Sequence, residues 1–206
     1  MHLLKLFLLL PYPISIIAYS IVITVLFFLF IIPITGRIFN KLEEWEIRGF
    51  NRFINPKITL FIANRLTLPG VIVHEYSHAI FAKLTGAIVN KISVFDIFHK
   101  GMLGHVDFSL TGGKIKQSLQ LTLTSCAPII MGFMVLIVLS FGVLPTCKNL
   151  GEILLIIYLI ISIVNHLSMS PQDIMLYRRG LMVTVVVVSL MLMLVLAVTL
   201  QKPVYI

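Results

Sequence analysis

Charge is the property that this sequence lacks most. Only 12% of its residues are charged, whereas 59% are hydrophobic and the mean hydropathy is +1.05. Soluble domains carry about a quarter charged residues. A chain with so few charges cannot present a surface that water solvates, so an ordinary soluble domain is excluded. The solvent for most of this chain is expected to be lipid.

Acidic residues and cysteines are also scarce. The chain has 8 acidic residues, three Asp and five Glu, and two cysteines. Cys126 and Cys147 fall within or at the end of one apolar stretch, where a thiol behaves as a small hydrophobe. They predict neither a disulfide framework nor a cysteine metal site. The net charge of +8 comes from cations scattered singly between apolar stretches, which favours a membrane surface as partner over nucleic acid.

Long apolar stretches dominate what is present. Four of them carry no charge and reach the roughly 20 residues that a helix needs to cross a bilayer, namely residues 12–36, 117–147, 153–172 and 181–201. Residues 65–83 are apolar except around Glu75 and are predicted to form one more span. The first stretch is too long for a signal peptide and shows no convincing cleavage site, so we expect a retained helix. The sequence thus predicts a single all-α, multi-pass integral membrane domain over residues 1–206, with about five transmembrane helices and the cell membrane as its location. Orientation and oligomeric state stay open.

Two segments between the spans have a different character. Residues 37–57 mix basic and acidic side chains with aromatic ones, which fits equally well a helix at the headgroup level and a solvated loop. Residues 87–96 and 101–110 are rich in β-branched and aromatic residues and are separated by a short segment that contains His99. This pattern predicts a β-hairpin between the second and third spans, associated with the membrane.

The strongest chemical signal is an HExxH motif inside the second predicted span. On a helix, His74 and His78 project from one face about a turn apart, so both imidazoles can reach one zinc ion at about 2.0 to 2.1 Å. Glu75 is turned by about 100 degrees, where it is a poor ligand but can take a proton from water at the metal. Charged groups in a membrane span cost about 2.5 to 3.5 kcal/mol each unless they bind something, and this cost favours a metal site over satisfied packing residues.

A zinc site of this kind needs a third protein ligand. Asp173 stands out among the few acids, because it closes a polar run at the end of the fourth predicted span. Asp96 and Asp107 lie on the predicted hairpin, and Glu152 suits the start of a helix, where a carboxylate complements the dipole. His166 is an alternative ligand, although a lone His is more often a packing residue.

These residues resemble the site-2 proteases, a family of intramembrane zinc metalloproteases. In that family HExxH sits in one transmembrane helix, a membrane-associated β-hairpin follows, and a later helix carries an Asp eight positions after an Asn. This sequence has the same order, with His74, Glu75 and His78, then the hairpin, then Asn165 and Asp173. The resemblance covers the core, residues 66–173. The extra spans, residues 12–36 and 181–201, look like those of the compact subgroup that the bacterial sporulation protease represents.

The resemblance implies a zinc endopeptidase that hydrolyses peptide bonds of membrane-embedded or membrane-proximal protein substrates. His74, His78 and Asp173 would hold Zn²⁺, Glu75 would act as the base, and Asn165 would donate to the substrate or the oxyanion. For Asn165 a helix-packing amide is an equal alternative. The chain departs from the family pattern at three positions, with Ser77 in place of Gly, His166 in place of Pro and Ile174 in place of Gly.

Two other function classes fit part of the pattern. A catalytically inactive zinc-binding scaffold or regulator would need the ligands but not the base, and Glu75 is retained. A cation transporter could use intramembrane His and Glu as an ion path, but transporters more typically have two related halves, and no internal repeat is visible.

Overall fold

The computed structural model describes residues 12–56, 58–59, 65–94 and 104–200, and these are mostly helical. The first two helices are α1 (Tyr12–Val25) and α2 (Ile32–Phe50), joined by a π-helical segment, Leu26–Ile31. Helix α3 (Leu68–Leu84) leads into the strands β1 (Ile88–Ser93) and β2 (His105–Ser109). Helix α4 (Lys114–Ile137) continues through a second π-helical segment, Val138–Val143, to a short 3₁₀ turn, Leu144–Thr146. Helices α5 (Leu150–Val164) and α6 (Pro171–Leu200) complete the fold. The predicted helical architecture with a small hairpin between α3 and α4 is confirmed.

Both π-helical segments lie immediately upstream of a proline. Pro33 and Pro145 have no backbone N–H to donate, and their rings crowd the carbonyl four residues earlier. Those carbonyls belong to Leu29 and Phe141, which lie inside the two π-helical segments. A local widening of the helix relieves the crowding while the chain continues in the same direction.

Three helical stretches of the described chain are long and apolar enough to cross a membrane. They are Ile14–Phe50, Lys114–Thr146 and Pro171–Thr199. By length and composition, these helices agree with the coarse prediction of a membrane protein. The shorter helices α3 and α5 have 17 and 15 residues.

The boundary between the last two predicted spans was placed wrongly. The fourth span was expected over residues 153–172, but α5 ends at Val164 and residues 165–170 are not helical. Pro171 then begins α6, because proline cannot continue a helix but suits its first turn. Asp173 therefore lies in the first turn of the last helix, and that helix begins ten residues before the predicted 181.

The surface of the molecule is more apolar than its interior. Large hydrophobic side chains such as Phe30, Phe141 and Leu194 are exposed on the outer faces of the long helices. Buried positions instead include many hydroxyl and amide side chains, among them Ser20, Thr24, Gln120, Thr122 and Thr184. Soluble proteins rarely expose contiguous apolar patches of this kind, so this distribution fits a lipid-facing exterior.

Helix α4 lies at the centre of the packing. It contacts α3 on one side and α6 on the other, while α1 packs against α6 and α5 against α3. A hydrophobic cluster joins the first π-helical segment, the start of α2, the middle of α4, the segment before α6 and α6 itself. It is built from Phe28, Ile32, Cys126, Ile129, Met169, Tyr177 and Val185. The HExxH motif on α3 is thereby held against the helix at the centre of the packing.

The hairpin is fastened to α4 at its base. Gln120, which is fully buried, donates to the Thr85 carbonyl (3.2 Å) and the Thr111 hydroxyl (3.0 Å) and accepts from the Thr111 backbone N–H (2.9 Å). Gly86 and Gly112 allow the chain to enter and leave the hairpin, because both have φ of +79°. These contacts fix where the strands stand relative to α3 and α4.

The strands pair in antiparallel register, with Ile92 opposite Val106 and an irregularity between Val89 and Lys91. The predicted hairpin ends at residues 95–96 and 101–103, together with Asp96 and His99, lie outside the described residues.

Candidate metal centre

Helix α3 begins as the sequence predicts, and a glycine brings it close to α5. Thr67 is the N-cap residue and Pro69 lies in the first turn. The Gly70 backbone N–H donates to the Ser162 hydroxyl of α5 at 2.8 Å. A Cβ at Gly70 would collide with the Ser162 carbonyl oxygen and would stand 2.6 Å from His166 Cδ2. Glycine therefore permits the close approach that sets the HExxH helix beside residues 165–170.

The two motif histidines face each other with their Nδ1 atoms held by backbone carbonyls. His74 Nδ1 lies 2.7 Å from the His166 carbonyl oxygen, and His78 Nδ1 lies 2.8 Å from that of Thr124. A carbonyl oxygen can only accept, so Nδ1 carries the proton in both rings and each Nε2 presents a lone pair. The two Nε2 atoms are 3.1 Å apart. Two lone pairs at that distance repel unless a cation lies between them, so the arrangement fits a metal ion.

The Thr124 carbonyl is available because of a proline in α4. Pro128 lies inside this helix, four residues after Thr124. An alanine there would donate its N–H to the Thr124 carbonyl, as the helical pattern requires, but proline has no N–H. The released carbonyl instead accepts from His78.

Asp173 joins the histidines from the first turn of α6. Its Oδ1 lies 3.5 Å from His78 Nε2. Its Oδ2 accepts from the Ser170 backbone N–H (3.0 Å) and hydroxyl (2.6 Å), while the Asp173 backbone N–H donates to the Ser170 hydroxyl (3.1 Å). This reciprocal pattern is a capping box, which fixes the carboxylate at the helix start. One carboxylate oxygen is thereby anchored and the other is presented to the histidines.

His74, His78 and Asp173 form a group that could hold a metal ion. Their ligand atoms all lie within 4.8 Å of one another. A tetrahedral zinc site with bonds of about 2.0 to 2.2 Å separates its ligands by about 3.3 to 3.6 Å. The distances of 3.1 and 3.5 Å between neighbouring ligand atoms are close to that range. The donor set of two imidazoles and one carboxylate is also one that zinc accepts.

Glu75 lies in the same cavity but outside the group of three. It is 7% exposed and lines a cavity of about 510 Å³ together with both histidines and Asp173. The backbone just before strand β2 lies against the Glu75 side chain. A Cβ at Gly104 would stand 2.6 Å from Glu75 Cγ and 2.9 Å from Oε1. The backbone at Gly104 therefore limits where the Glu75 carboxylate can go.

The cavity has walls from three parts of the chain besides α3. Helix α2, strand β2 and residues 166–173 all contribute, and side chains on the first two walls include Asn40, Glu43, Glu44, Ile47, His105, Val106 and Phe108. The segment over residues 37–57, which the sequence left as either a headgroup-level helix or a solvated loop, thus forms part of this site.

Among the described residues, the other candidates named from the sequence lie outside the group formed by His74, His78 and Asp173. Asn165 ends α5 as its C-cap residue and is not among the side chains of the cavity wall. The His166 ring lies 2.7 Å from the Thr67 hydroxyl, and its backbone carbonyl, rather than its imidazole, contacts His74. Asp107 lies on β2 beside exposed Asn90, and Glu152 stands in the first turn of α5 as expected.

Sequence reasoning missed the residues that orient the ligands. The pattern Ser170-Pro171-Gln172-Asp173 carries a capping-box signal that identifies Ser170 in advance. The carbonyls of Thr124 and His166 carry no such signal, because every residue has a carbonyl. Ser77, which stands where the similar family has Gly, is buried and donates to the Val73 carbonyl at 2.5 Å, so its hydroxyl has a partner within its own helix.

No family model, curated protein or solved structure matches the chain. The likeness to site-2 proteases therefore stays a prediction based on the residues named above.

Proposed function

We propose that this protein is a multi-pass membrane zinc endopeptidase that cleaves peptide bonds of membrane-embedded or membrane-proximal protein segments. The observation that carries the proposal is the arrangement of His74, His78, Asp173 and Glu75 around one cavity. Three of these side chains present metal-binding atoms within 4.8 Å of one another, and the fourth is a carboxylate outside that group. A zinc ion held there would supply Lewis acidity that activates water and polarises a carbonyl.

The chain supplies the remaining chemistry. Glu75 accepts the proton of the attacking water and passes it to the leaving amine. The His166 and Thr124 carbonyls hold the two imidazoles in the tautomer that binds metal through Nε2, and Ser170 orients the carboxylate of Asp173. Asn165 remains a proposed donor to the substrate or oxyanion, and in its present position it would need a movement of residues 165–170 to reach the cavity.

The location of the site supports a substrate from the membrane. The cavity lies between α2, α3, β2 and the start of α6, and two of these helices belong to the stretches long enough to span a bilayer. We place α3 and α5 in the bilayer as well, giving about five transmembrane helices. At 1.5 Å per residue they are about 26 and 22 Å long, somewhat shorter than the roughly 30 Å of hydrocarbon, and a bilayer can accommodate such short spans by local thinning.

Strand β2 supports a mode of substrate binding. Within the described residues the sheet has only β1 and β2, so the outer edge of β2 has no neighbouring strand. Gly104, His105, Val106 and Phe108 of this region line the cavity. An extended peptide added beside β2 would run along that wall toward Glu75, and a helical substrate must first unwind to do so.

Substitution of Glu75, the proposed base, tests the proposed function. Glu75→Gln removes the base and spares the three ligands, so purified protein should keep its zinc while cleavage of membrane peptides falls by about 10² to 10⁴-fold. Metal analysis and a cleavage assay on the same preparation measure both. Undiminished cleavage by this variant would rule out the proposed mechanism. If both the unsubstituted protein and the Glu75→Gln variant bind zinc but neither cleaves peptides, an inactive zinc-binding scaffold is favoured. Ion flux without cleavage would favour a cation transporter.

A further inference from the structure

Residues 165–170, here called the ligand loop, connect α5 to α6 and control two features of the metal centre. At one end the His166 carbonyl accepts from His74 Nδ1. At the other end Ser170 caps α6 and holds the carboxylate of Asp173. Backbone hydrogen bonds continue from α5 as far as Leu167, whose N–H donates to the Val164 carbonyl at 3.3 Å, and they resume where the Ser170 carbonyl accepts from Ile174 of α6 at 3.0 Å. The position of Ser168 and Met169, between these two ends, must therefore come from contacts with other elements.

Helix α2 supplies such contacts from one face. Asn40 Nδ2 donates to the Met169 carbonyl at 3.3 Å, and the Ser168 hydroxyl donates to Glu43 Oε2 at 3.0 Å. One turn earlier on the same face, a Cβ at Gly36 would stand 3.4 Å from Met169 Cγ and Sδ. Positions 36, 40 and 43 follow the helical spacing of one side, so α2 lies along the middle of the ligand loop.

The geometry points to Asn40 and Glu43 as positioning residues of the metal centre. We propose that they hold Ser168 and Met169 so that the His166 carbonyl and the Ser170 cap stand where His74 and Asp173 need them, and thereby set metal affinity. This inference rests on the proposed metal site. Neither residue touches the metal-binding atoms, and both act through the ligand loop.

The polarity of Asn40 supports this role. Its Oδ1 is buried and has no hydrogen-bond partner among the described residues. A buried acceptor without a partner destabilises the fold, so an apolar side chain would be the more stable choice at this position. The donor contact from Nδ2 to the Met169 carbonyl gives a reason for an amide here.

Zinc affinity measures the effect directly. The substitution Ser168→Ala removes one oxygen atom and with it the bond to Glu43, and Glu43→Leu removes the same bond from the other side. Each should weaken zinc binding by about 10- to 100-fold in competition with a chromophoric chelator, as loss of outer-shell partners typically does. Asn40→Leu should act in the same direction. Glu43→Gln, which can still accept from Ser168, should bind zinc nearly as tightly as the unsubstituted protein.

Two controls separate positioning from general damage. Glu46 lies on the same helix, is exposed, and is absent from the cavity wall, so Glu46→Leu should leave zinc affinity unchanged. Because Ser168 and Glu43 share one hydrogen bond, the double variant Ser168→Ala/Glu43→Leu should lose no more affinity than the larger single loss. The visible spectrum of the Co²⁺-substituted protein should change in Ser168→Ala and stay unchanged in Glu46→Leu.

The failures of the two proposals can be told apart. All these measurements use the Glu75→Gln background and need no cleavage. If that protein binds zinc tightly and Ser168→Ala and Asn40→Leu bind it equally tightly, the positioning role is wrong while the metal centre stands. If the parent protein binds no zinc, both proposals fall. If Glu43→Leu does not fold, the zinc affinity of Ser168→Ala alone decides whether the positioning role is correct.

Discussion

At the scale of single residues, the proposed site needs two kinds of position. Some side chains would bind the metal ion, and other residues limit where the functional side chains can lie. Gly104 belongs to the second kind, because its backbone lies against the Glu75 side chain. A side chain at this position would push the carboxylate away from the water that it is proposed to deprotonate. The three ligands are on other residues and would be undisturbed.

We therefore expect Gly104→Ala to lower cleavage while zinc content stays the same. A displacement of about 1 Å in a catalytic group can cost about 100-fold in rate, and the added Cβ demands a shift of that order. The measurement is kcat/KM with metal analysis. Gly113→Ala is the matched control, since a Cβ there would meet nothing within 4 Å. Loss of zinc in Gly104→Ala would show instead that β2 supports the ligands.

Asp173 is the residue whose assignment as ligand most needs a direct test. Replacing it with Ala should abolish cleavage and weaken zinc binding by more than the roughly 10- to 100-fold that an outer-shell partner is worth. Asp107→Ala should retain both properties, because Asp107 lies on β2 beside exposed Asn90. Full zinc occupancy in Asp173→Ala, together with zinc loss in His166→Ala, would mean that His166 is the third ligand. The bond between the His166 ring and Thr67 argues for Asp173.

At the scale of elements, prolines determine how the helices serve the site. Pro171 starts α6 and so places Asp173 in a first turn, where the capping box and the helix dipole both hold a carboxylate. Pro128 interrupts the hydrogen bonds of α4 and releases the Thr124 carbonyl toward His78. Both effects follow from the missing N–H of proline.

Because Pro128 leaves the Thr124 carbonyl without its helical donor, we expect Pro128→Ala to affect His78. The alanine N–H would compete for the Thr124 carbonyl, so the His78 tautomer would be held less firmly and zinc affinity should fall by up to about tenfold, the lower end of outer-shell effects. The control is Met134→Ala, which removes an exposed side chain from the same helix. Only Pro128→Ala should change the NMR signal of the His78 Nδ1 proton. An unchanged signal and affinity would show that the carbonyl serves both donors at once.

At the scale of the whole molecule, the N-terminal helical stretch is long enough to span a bilayer and also reaches the candidate metal site. Ile14–Phe50 has 37 residues, about 55 Å at 1.5 Å per residue, which exceeds the roughly 30 Å of hydrocarbon. Its first part packs against α6, and its second part carries Asn40 and Glu43 to the ligand loop. The exposed Trp45 and Phe50 near its end suit the headgroup level. Residues 37–50 are helical, as one of the two alternatives for residues 37–57 predicts, and they continue the first long helix rather than forming a separate one.

The amino-acid sequence alone determined the features that depend on local pattern. Apolar length predicted helices that could span a membrane, the spacing of His74 and His78 predicted two imidazoles on one helix face, and β-branched and aromatic content predicted the two strands. These predictions succeed because helical spacing and local composition are properties of neighbouring residues. The end of α5 was misplaced because the predicted span followed the absence of charge through residues 165–170, although their four polar side chains and the following Pro171 indicate that a helix ends there.

Only the tertiary structure decided which distant groups meet at the site. Asp173 lies about a hundred positions from His74, and its approach depends on where α6 starts and on the packing of α3, α4 and α6 around it. The carbonyls that hold the imidazoles, and the contacts of Asn40 and Glu43 with the ligand loop, join residues up to 129 positions apart. A backbone carbonyl is chemically the same at every residue, so only the folding that directs it toward a particular ring gives it a function.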